Sequence, residues 1–272
     1  MLNLTGTLVL VGAGKMGGAM LEGWLKSGAN PAKIVAFDPA PPAEVKAMLE
    51  MNSVRLNPKI SDITDAEVII VAVKPQMMEE VLPSFVSLKS SRPLILSIAA
   101  GKTIATFERH FGSDAPVIRT IPNTPAAVGR GITAMASNPN VSAAQLDLAR
   151  LLLSSVGEVV TVDNEALIDA VTAVSGSGPA YVFYLTECLA AAGEKVGLPP
   201  DLAMQLARAT VAGSGELMRQ SGIAAATLRQ NVTSPKGTTY AALQVLMAED
   251  GMQPLFDRAI DAATQRSREL AS

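Results

Sequence analysis

The sequence has a single cysteine, Cys188, and a single histidine, His110, among its 272 residues. One cysteine excludes an intrachain disulfide, which favours a reducing compartment and predicts a cytoplasmic protein. The one histidine stands in a polar stretch typical of a helix surface, so it is a poor candidate for acid–base catalysis in a central pocket. We also expect no metal site.

The chain also has little excess charge of either sign and no long apolar runs. The chain carries 22 Lys+Arg against 25 Asp+Glu, a net charge of -3, and therefore has no electrostatic footprint for nucleic acid. No apolar run approaches the roughly 18 residues that span a bilayer, and the apolar start lacks the basic segment of a signal peptide. The hydrophobic content of 49% is enough for a sizeable core, so we expect a soluble globular protein without a membrane partner.

Apolar runs of strand length recur along the first part of the chain and alternate with stretches of helical spacing. The run at residues 7–11 is almost continuously apolar, as expected for a strand buried on both faces of a parallel sheet. This alternation predicts a doubly wound α/β sheet of the Rossmann type. The predicted strands are residues 7–11, 33–37, 54–56, 68–73, 94–98, 117–121, 132–136 and 159–162.

Strand patterns fade beyond about residue 163, and the remaining sequence is rich in alanine and leucine at helical spacing. Asp163 and Asn164, both good helix-capping residues, stand at this change. We therefore predict a dinucleotide-binding domain at residues 1–162 and an all-helical domain at residues 163–272. The helices predicted in the second domain are residues 165–174, 180–196, 200–219, 240–249 and 254–270.

A glycine-rich segment directly follows the first predicted strand and opens the first predicted helix. Its glycines match the G-x-G-x-x-G pattern, which in this context indicates a dinucleotide-binding loop. Gly12 permits the tight turn, Gly14 lets the backbone approach a pyrophosphate, and Gly17 lets the helix lie close to the sheet. A tight turn without a ligand would have the same pattern. The cofactor-binding residues predicted here are Gly12, Ala13, Gly14, Lys15, Met16 and Gly17.

Asp38 ends the second predicted strand, where a carboxylate can accept hydrogen bonds from the adenosine ribose hydroxyls of a dinucleotide. Alternatively, it is a turn residue that begins the segment Asp-Pro-Ala-Pro-Pro. No arginine follows closely to bind a 2′-phosphate, and the carboxylate would repel one. We therefore predict that NADH is used at least as well as NADPH.

Two further strand ends belong to the same crevice, because ligands of open α/β sheets bind at the carboxyl ends of the strands. Lys74 could contact a phosphate or a ribose, or it could be a solvated loop lysine. The small residues after the fifth predicted strand have no reactive group, but they would let the nicotinamide half of a cofactor approach. The cofactor-binding residues predicted at these two ends are Ala72, Val73, Lys74, Pro75, Ala99 and Ala100.

A hydroxyl-rich run at residues 233–239 immediately precedes a predicted helix. A helix start displays unpaired backbone N–H groups, and Ser234 and the neighbouring threonines add hydroxyls, which together suit a carboxylate. An ordinary Ser/Thr-capped helix with a proline near its first turn has the same pattern. These residues alone leave both interpretations open.

Several segments of the chain, read in order, resemble the pyrroline-5-carboxylate reductase family. The glycine loop and the Val-Lys-Pro element also occur in related reductases. The segment Ser-Gly-Ser-Gly-Pro-Ala-Tyr at residues 175–181, followed by Ser-Pro-x-Gly-Thr-Thr at residues 234–239, is typical of this family. The resemblance covers essentially the whole chain. The matching segments are residues 11–17, 71–75, 119–125, 152–157, 173–181 and 231–239.

The resemblance implies reduction of 1-pyrroline-5-carboxylate to proline with NADPH or NADH, the last step of proline synthesis. It implies that the Thr239 hydroxyl is the catalytic group at the ring nitrogen and that Asn123 binds cofactor. It also implies a Rossmann domain joined to a helical domain that interlocks with a partner, in a homodimer or a ring of dimers. Lys236 departs from the family, which often has glycine there. The substrate-binding residues implied are Ser234, Gly237, Thr238, Asn231 and Ser175.

Two other functions are compatible with the glycine loop. A 3-hydroxyacid dehydrogenase or similar two-domain reductase would place a lysine on a helix after a glycine-rich segment, but residues 176–188 contain no lysine or arginine. A nicotinamide-binding regulator without turnover would keep the loop glycines, whereas the presence of Ser234, Gly237 and Thr239 argues for an intact substrate site. Cofactor oxidation with pyrroline-5-carboxylate, compared with cofactor reduction by hydroxyacids, separates the three.

Overall fold

A computed structural model describes residues 2–271 of the chain, and Met1 and Ser272, the outer ends of the two expected domains, lie outside the described residues. Its centre is an eight-stranded sheet in the order β3-β2-β1-β4-β5-β6-β7-β8. The strand order reverses between β1 and β4, which makes this the switch point where ligands of such sheets bind. The strands are Thr7–Val11 (β1), Ile34–Phe37 (β2), Arg55–Leu56 (β3), Ala66–Val71 (β4), Leu94–Ser97 (β5), Val117–Ile121 (β6), Gly131–Ser137 (β7) and Gly157–Thr161 (β8).

Helices connect the strands and make up the last third of the chain. This arrangement confirms the predicted doubly wound sheet followed by a helical part. Across residues 2–271, no helix combines the length and the apolar character needed to cross a membrane. The helices are Lys15–Lys26 (α1), Ala43–Met51 (α2), Met78–Val81 (α3), Ile104–Phe111 (α4), Ala143–Ser154 (α5), Leu167–Val171 (α6), Gly178–Lys195 (α7), Pro200–Ser221 (α8), Ala225–Asn231 (α9), Thr238–Leu246 (α10) and Met252–Ala271 (α11).

The sheet is covered on both faces, which explains the continuous apolar runs of its central strands. All five residues of β1 are buried. They alternate between two hydrophobic clusters, Leu8 and Leu10 on one face, Val9 and Val11 on the other. Helix α1 buries Trp24 on the first face, where its indole N–H donates to the Leu152 carbonyl oxygen (2.9 Å). A strand buried on both faces has no polar side to alternate with, so its sequence is nearly uniform.

The far edge of the sheet departs from the parallel pattern. Strands β1 to β6 run parallel, whereas β7 pairs antiparallel with β6 and parallel with β8. The connection between β6 and β7 holds only a short 3-10 helix, Thr124–Val128. A parallel crossover needs a dozen or more residues, so this short connection can only reverse the chain.

The chain divides into two compact units that do not follow the order of the sequence. The first, here called the sheet unit, runs up to Gly176 and also includes the chain end from Thr264 onward. The second, here called the helical unit, spans Ser177–Ala263. Helix α6 belongs to the sheet unit, since its Ile168 joins a cluster with Ile121 of β6. The boundary between functional domains expected after residue 162 stays a prediction.

The helical unit has a small core of its own. The buried residues where α7 packs on α8 are Ala190, Ala203 and Ala207, with Leu198 partly buried against them. Alanines allow the two helix backbones to approach closely, but they bury little apolar area. Large apolar side chains of α7 stay exposed in the single chain, including Phe183 at 62% and Tyr184 at 67%.

Candidate functional site

The loop that follows β1 has the conformation expected of a dinucleotide-binding turn. Gly12 has a φ of 95°, and a Cβ there would lie 2.7 Å from the Ala72 carbonyl oxygen. A Cβ on Gly17 would collide with the Gly12 carbonyl oxygen. Both glycines are therefore required by the fold itself, the first for the turn and the second for close packing of α1 on the sheet.

Gly14 differs from its two neighbours because the fold does not require it to be glycine. It is the N-cap of α1, its φ of -70° is available to any residue, and no atom of residues 2–271 lies within 4 Å of a Cβ built on it. No side chain caps this helix start among the described residues. The first-turn N–H groups of the twelve-residue α1 are thus available to an anion.

Asp38 lies at the end of β2, and backbone N–H groups on both sides hold its carboxylate in place. One oxygen, Oδ2, accepts from the N–H of Ala13 in the glycine loop (2.7 Å), and Oδ1 accepts from Ala40 N–H (2.9 Å). The Asn57 side chain fixes the backbone of Asp38, since it accepts from Asp38 N–H (2.9 Å) and donates to the Asp38 carbonyl oxygen (2.8 Å). The carboxylate is thus held next to the loop that would receive a pyrophosphate.

The other predicted strand ends meet at the same edge of the sheet. Ala72 N–H donates to the Val11 carbonyl oxygen (2.7 Å), which joins the loop after β4 to the end of β1. Ile98 N–H donates to the Val71 carbonyl oxygen (3.1 Å), which joins the end of β5 to the end of β4. Ala99 is buried, whereas Lys74 and Ala100 are exposed. The edge thus gathers most of the predicted cofactor-binding residues: Gly12, Ala13, Gly14, Lys15, Met16, Gly17, Asp38, Ala72, Val73, Lys74, Pro75, Ala99 and Ala100.

Asn123 and Ser175 are brought together just beyond the end of β6. The Asn123 side chain donates to the Ser175 carbonyl oxygen (3.2 Å) and accepts from Ile132 N–H (2.9 Å). Ser175 lies in a π-helical turn, Thr172–Gly176. The buried Asn123 amide therefore fastens this turn to the start of β7, and its expected contact with cofactor stays a prediction.

In the helical unit, most of the predicted substrate-binding residues lie in the turn that precedes α10 and in the first turn of that helix. Gly237 is the N-cap, and no side chain caps this helix within the described residues. A Cβ on Gly237 would collide with the Ser234 hydroxyl oxygen, so any other residue at position 237 would force the Ser234 side chain to move. Thr239 is half-buried. The residues gathered here are Ser234, Gly237, Thr238 and Thr239, and Asn231 is the last residue of α9.

Lys236, in the same turn, has a left-handed backbone with a φ of 59°. This conformation costs an L-residue roughly 1–2 kcal/mol, whereas glycine adopts it freely but loses about 0.5–1 kcal/mol more chain entropy on folding. Lys236→Gly should therefore raise the free energy of unfolding by up to about 1 kcal/mol, measured by urea denaturation at fixed protein concentration. Lys236→Ala keeps a Cβ and serves as the control without this gain. A glycine variant less stable than wild type would contradict a left-handed backbone at Lys236.

The sequence pattern did not indicate that Arg119 is a buried charge. Arg119, in the middle of β6, has a side chain only 3% exposed, and its Nη1 lies 3.0 Å from Glu165 Oε1. A charged residue inside the apolar run of residues 117–121 is the signal that could have indicated it, because buried arginines need acidic partners. The positions of those partners, far along the chain, could not be derived from the run itself.

Two protein-family models match parts of the chain. Residues 165–270 match the family model described as pyrroline-5-carboxylate reductase dimerisation. Residues 7–101 match the model described as NADP oxidoreductase coenzyme F420-dependent. The first match covers the helices after β8, and the second covers the strands and loops from β1 to the end of β5.

Individual relatives match over nearly the full length of the chain. The pyrroline-5-carboxylate reductase of Pseudomonas aeruginosa is 40% identical over 267 residues, which is 98% of this chain and 97% of that protein. A solved pyrroline-5-carboxylate reductase from Coxiella burnetii superposes with a TM-score of 0.92 at 31% identity, covering 99% of this chain and 100% of the other. A Plasmodium falciparum pyrroline carboxylate reductase solved with NADP bound has a TM-score of 0.81 at 28% identity, covering 98% and 99%. The chain belongs to the pyrroline-5-carboxylate reductase family.

Proposed function

We propose that this protein reduces 1-pyrroline-5-carboxylate to proline with NADH or NADPH, by hydride transfer to the cyclic imine. The observation that carries the proposal is the full-length similarity to pyrroline-5-carboxylate reductases, which includes both the glycine loop and the hydroxyl-rich start of α10. The direct test follows NADH and NADPH oxidation by absorbance in the presence of pyrroline-5-carboxylate. Turnover with hydroxyacids and none with the imine would contradict it.

The residues at the edge of the sheet fit a dinucleotide. The open space at Gly14 leaves room for a pyrophosphate at the start of α1, and Asp38 stands where the adenosine ribose would lie. The loops at Ala72–Pro75 and Ala99–Ala100 would line the path toward the nicotinamide. When bound, the dinucleotide supplies the hydride. The protein's own residues bind it, orient it and exclude water.

An imine substrate explains why the site needs no strong acid. Reduction of a ketone leaves an alkoxide that must be protonated, so carbonyl reductases usually provide a histidine, lysine or tyrosine. A protonated imine already carries its positive charge, and hydride addition neutralises it. The site then requires a hydrogen-bonding partner for the ring nitrogen and a close, dry geometry.

The turn before α10 supplies these groups in our proposal. The Ser234 hydroxyl and the N–H of Gly237, at the positive end of α10, bind the substrate carboxylate. The hydroxyl of Thr239 accepts a hydrogen bond from the N–H of the protonated ring nitrogen and orients the ring. Thr238, Asn231 and Ser175 complete the substrate-binding set. The half-buried position of Thr239 and the uncapped helix start support these roles.

His110 has no part in this proposal. It lies near the end of α4. The loop after β5 leads into the first residue of this helix, so His110 is at the opposite end of α4 from the predicted cofactor-binding residues. Its side chain is only 16% exposed, and its Nε2 lies 3.3 Å from Glu79 Oε2. The histidine expected on a helix surface is therefore largely covered and lies close to a glutamate.

Substitution of Gly14 tests the cofactor site without disturbing the fold. Gly14→Ala should raise the dissociation constant for NADH and for ADP-ribose about tenfold, because a methyl group would occupy the approach of the pyrophosphate. Its stability should equal that of wild type or exceed it, since the added Cβ meets no neighbour and alanine restricts the unfolded chain. Calorimetric titration and urea denaturation measure the two effects.

The contrasting variant is Gly17→Ala, which should lose both stability and binding because its Cβ collides with the glycine loop. Wild-type NADH affinity in Gly14→Ala would show that no pyrophosphate approaches this position.

We further propose that the protein works as a cytoplasmic homodimer, or as a ring of such dimers, without nucleic acid as a partner. The family model matched by the helical region is named for dimerisation, and the exposed apolar side chains of α7 would be covered by a second copy. The single exposed Cys188 suits a reducing compartment. Sedimentation equilibrium should give at least twice the mass of one chain, and a monomer at micromolar concentration would contradict the dimer.

A further inference from the structure

We propose that the end of the last helix, α11, acts through an ionic cluster around the buried Arg119 to position the loop after β5, and so sets the affinity for the nicotinamide half of the cofactor. The cluster consists of Arg119, Glu165, Asp169 and Ser267, all in the sheet unit. The inference rests on the proposed function, because that proposal assigns Ala99 and Ala100 to the nicotinamide.

The central group of the cluster is the buried guanidinium of Arg119, which has few hydrogen-bonding partners. The Arg119 guanidinium lies 3.0 Å from Glu165 and 3.9 Å from Asp169. Its Nε and Nη2 atoms are buried and form no hydrogen bond within the described residues. A buried guanidinium is stable only while its acidic partners stay in place, so the position of each partner matters energetically.

Glu165 connects this charge to the loop. The same oxygen that pairs with Arg119, Oε1, accepts a hydrogen bond from Ile104 N–H (2.9 Å). Ile104 is the first residue of α4, and the segment that joins it to β5 contains Ala99 and Ala100. The carboxylate therefore fixes the far end of the loop that we assign to the nicotinamide.

The end of α11 holds the cluster and the loop from the other side. The buried Ser267 hydroxyl donates to Asp169 Oδ1 (2.7 Å). One helical turn later, Leu270 lies against the loop: a Cβ on Gly101 would be 3.0 Å from the Leu270 carbonyl oxygen. Gly101 also has a φ of 71°, so both its conformation and the close approach require glycine. The loop is thus held at Gly101 by the helix end and at Ile104 by the cluster.

NADH and ADP-ribose differ only in the nicotinamide, so their dissociation constants provide the test. In Ser267→Ala the dissociation constant for NADH should rise about fivefold, the size expected for one lost hydrogen bond, while that for ADP-ribose stays unchanged. ADP-ribose shares the adenosine and pyrophosphate contacts but lacks the nicotinamide. A merely structural loss would weaken both ligands equally. Ser267→Thr restores a hydroxyl and should recover NADH affinity.

A second variant removes the other contact. A chain that ends at Glu269 lacks Leu270 but keeps Ser267, and it should show the same selective loss for NADH together with faster hydrogen exchange in residues 99–104. Gln265→Ala, at an exposed position of the same helix end, is the matched control and should behave as wild type. Unchanged NADH affinity in both Ser267→Ala and the shortened chain overturns the inference. If wild type itself binds no NADH, the proposed function fails instead.

Discussion

Thr239→Ala should lower kcat for pyrroline-5-carboxylate reduction on the order of tenfold to a thousandfold, the range for one positioned hydrogen bond at a reacting centre. Thr239 lies in the first turn of α10, two residues after the N-cap Gly237. Our proposal places its hydroxyl at the ring nitrogen, whose charge is neutralised as hydride arrives. KM for the imine should change less than kcat, because the substrate carboxylate is bound by Ser234 and the Gly237 N–H. Steady-state kinetics at saturating NADH separates the two.

Controls exclude a trivial loss of structure in this experiment. Alanine has a higher helix propensity than threonine, so Thr239→Ala is expected to fold as well as wild type in urea denaturation. Thr239→Ser retains the hydroxyl and should recover most of the rate. Thr210→Ala, at an exposed position of α8, removes a threonine elsewhere in the helical unit and should leave kcat unchanged. If Thr239→Ala turned over as fast as wild type, the hydroxyl would have no part in the reaction.

Much of the sheet unit could be predicted because its strands are buried on both faces. The apolar runs at residues 7–11 and 94–98 correspond to β1 and β5, and even the weak run at residues 54–56 contains β3. The direction of β7 was not predicted from the pattern, since alternation shows which face is buried but not which neighbour pairs with it. The seven-residue α9 was missed because it is only about two turns long and has a single large apolar residue, Leu228, too few to show a helical period.

The residues of the candidate site likewise include some that the sequence predicted and some that it did not. The glycine loop and Asp38 were predicted because each belongs to a short sequence pattern at the end of a strand, and the structure joins them through the Ala13–Asp38 hydrogen bond. The Arg119 cluster was not predicted, because its members, which include Ser267 at the end of α11, lie far apart in the sequence. Helical periodicity predicts α11 itself but does not say which surface its last turns contact.

Asp38→Asn should shift the cofactor preference toward NADPH. In wild type, the carboxylate is held beside the glycine loop by Ala13 N–H and Ala40 N–H, where it would accept hydrogen bonds from the ribose hydroxyls of NADH and repel a 2′-phosphate. Hydrogen bonds to charged groups contribute about 1.5–3 kcal/mol, which corresponds to roughly tenfold to a hundredfold in affinity. We expect the ratio of kcat/KM for NADH over NADPH to be one or more in wild type and to fall by about that factor.

The asparagine keeps one acceptor oxygen, so it can accept from only one of the Ala13 and Ala40 N–H groups, and a loss of about 1 kcal/mol in the free energy of unfolding is expected. Asp38→Glu retains the charge and should continue to discriminate against NADPH, although its longer side chain would weaken both cofactors. Asp62→Asn, at an exposed position of the same unit, removes an equal charge and controls for net electrostatics. Titration with ADP-ribose and its 2′-phosphate gives the same comparison without turnover. A wild-type enzyme that strongly prefers NADPH would reject the role of Asp38, because the carboxylate would then lie where a phosphate binds.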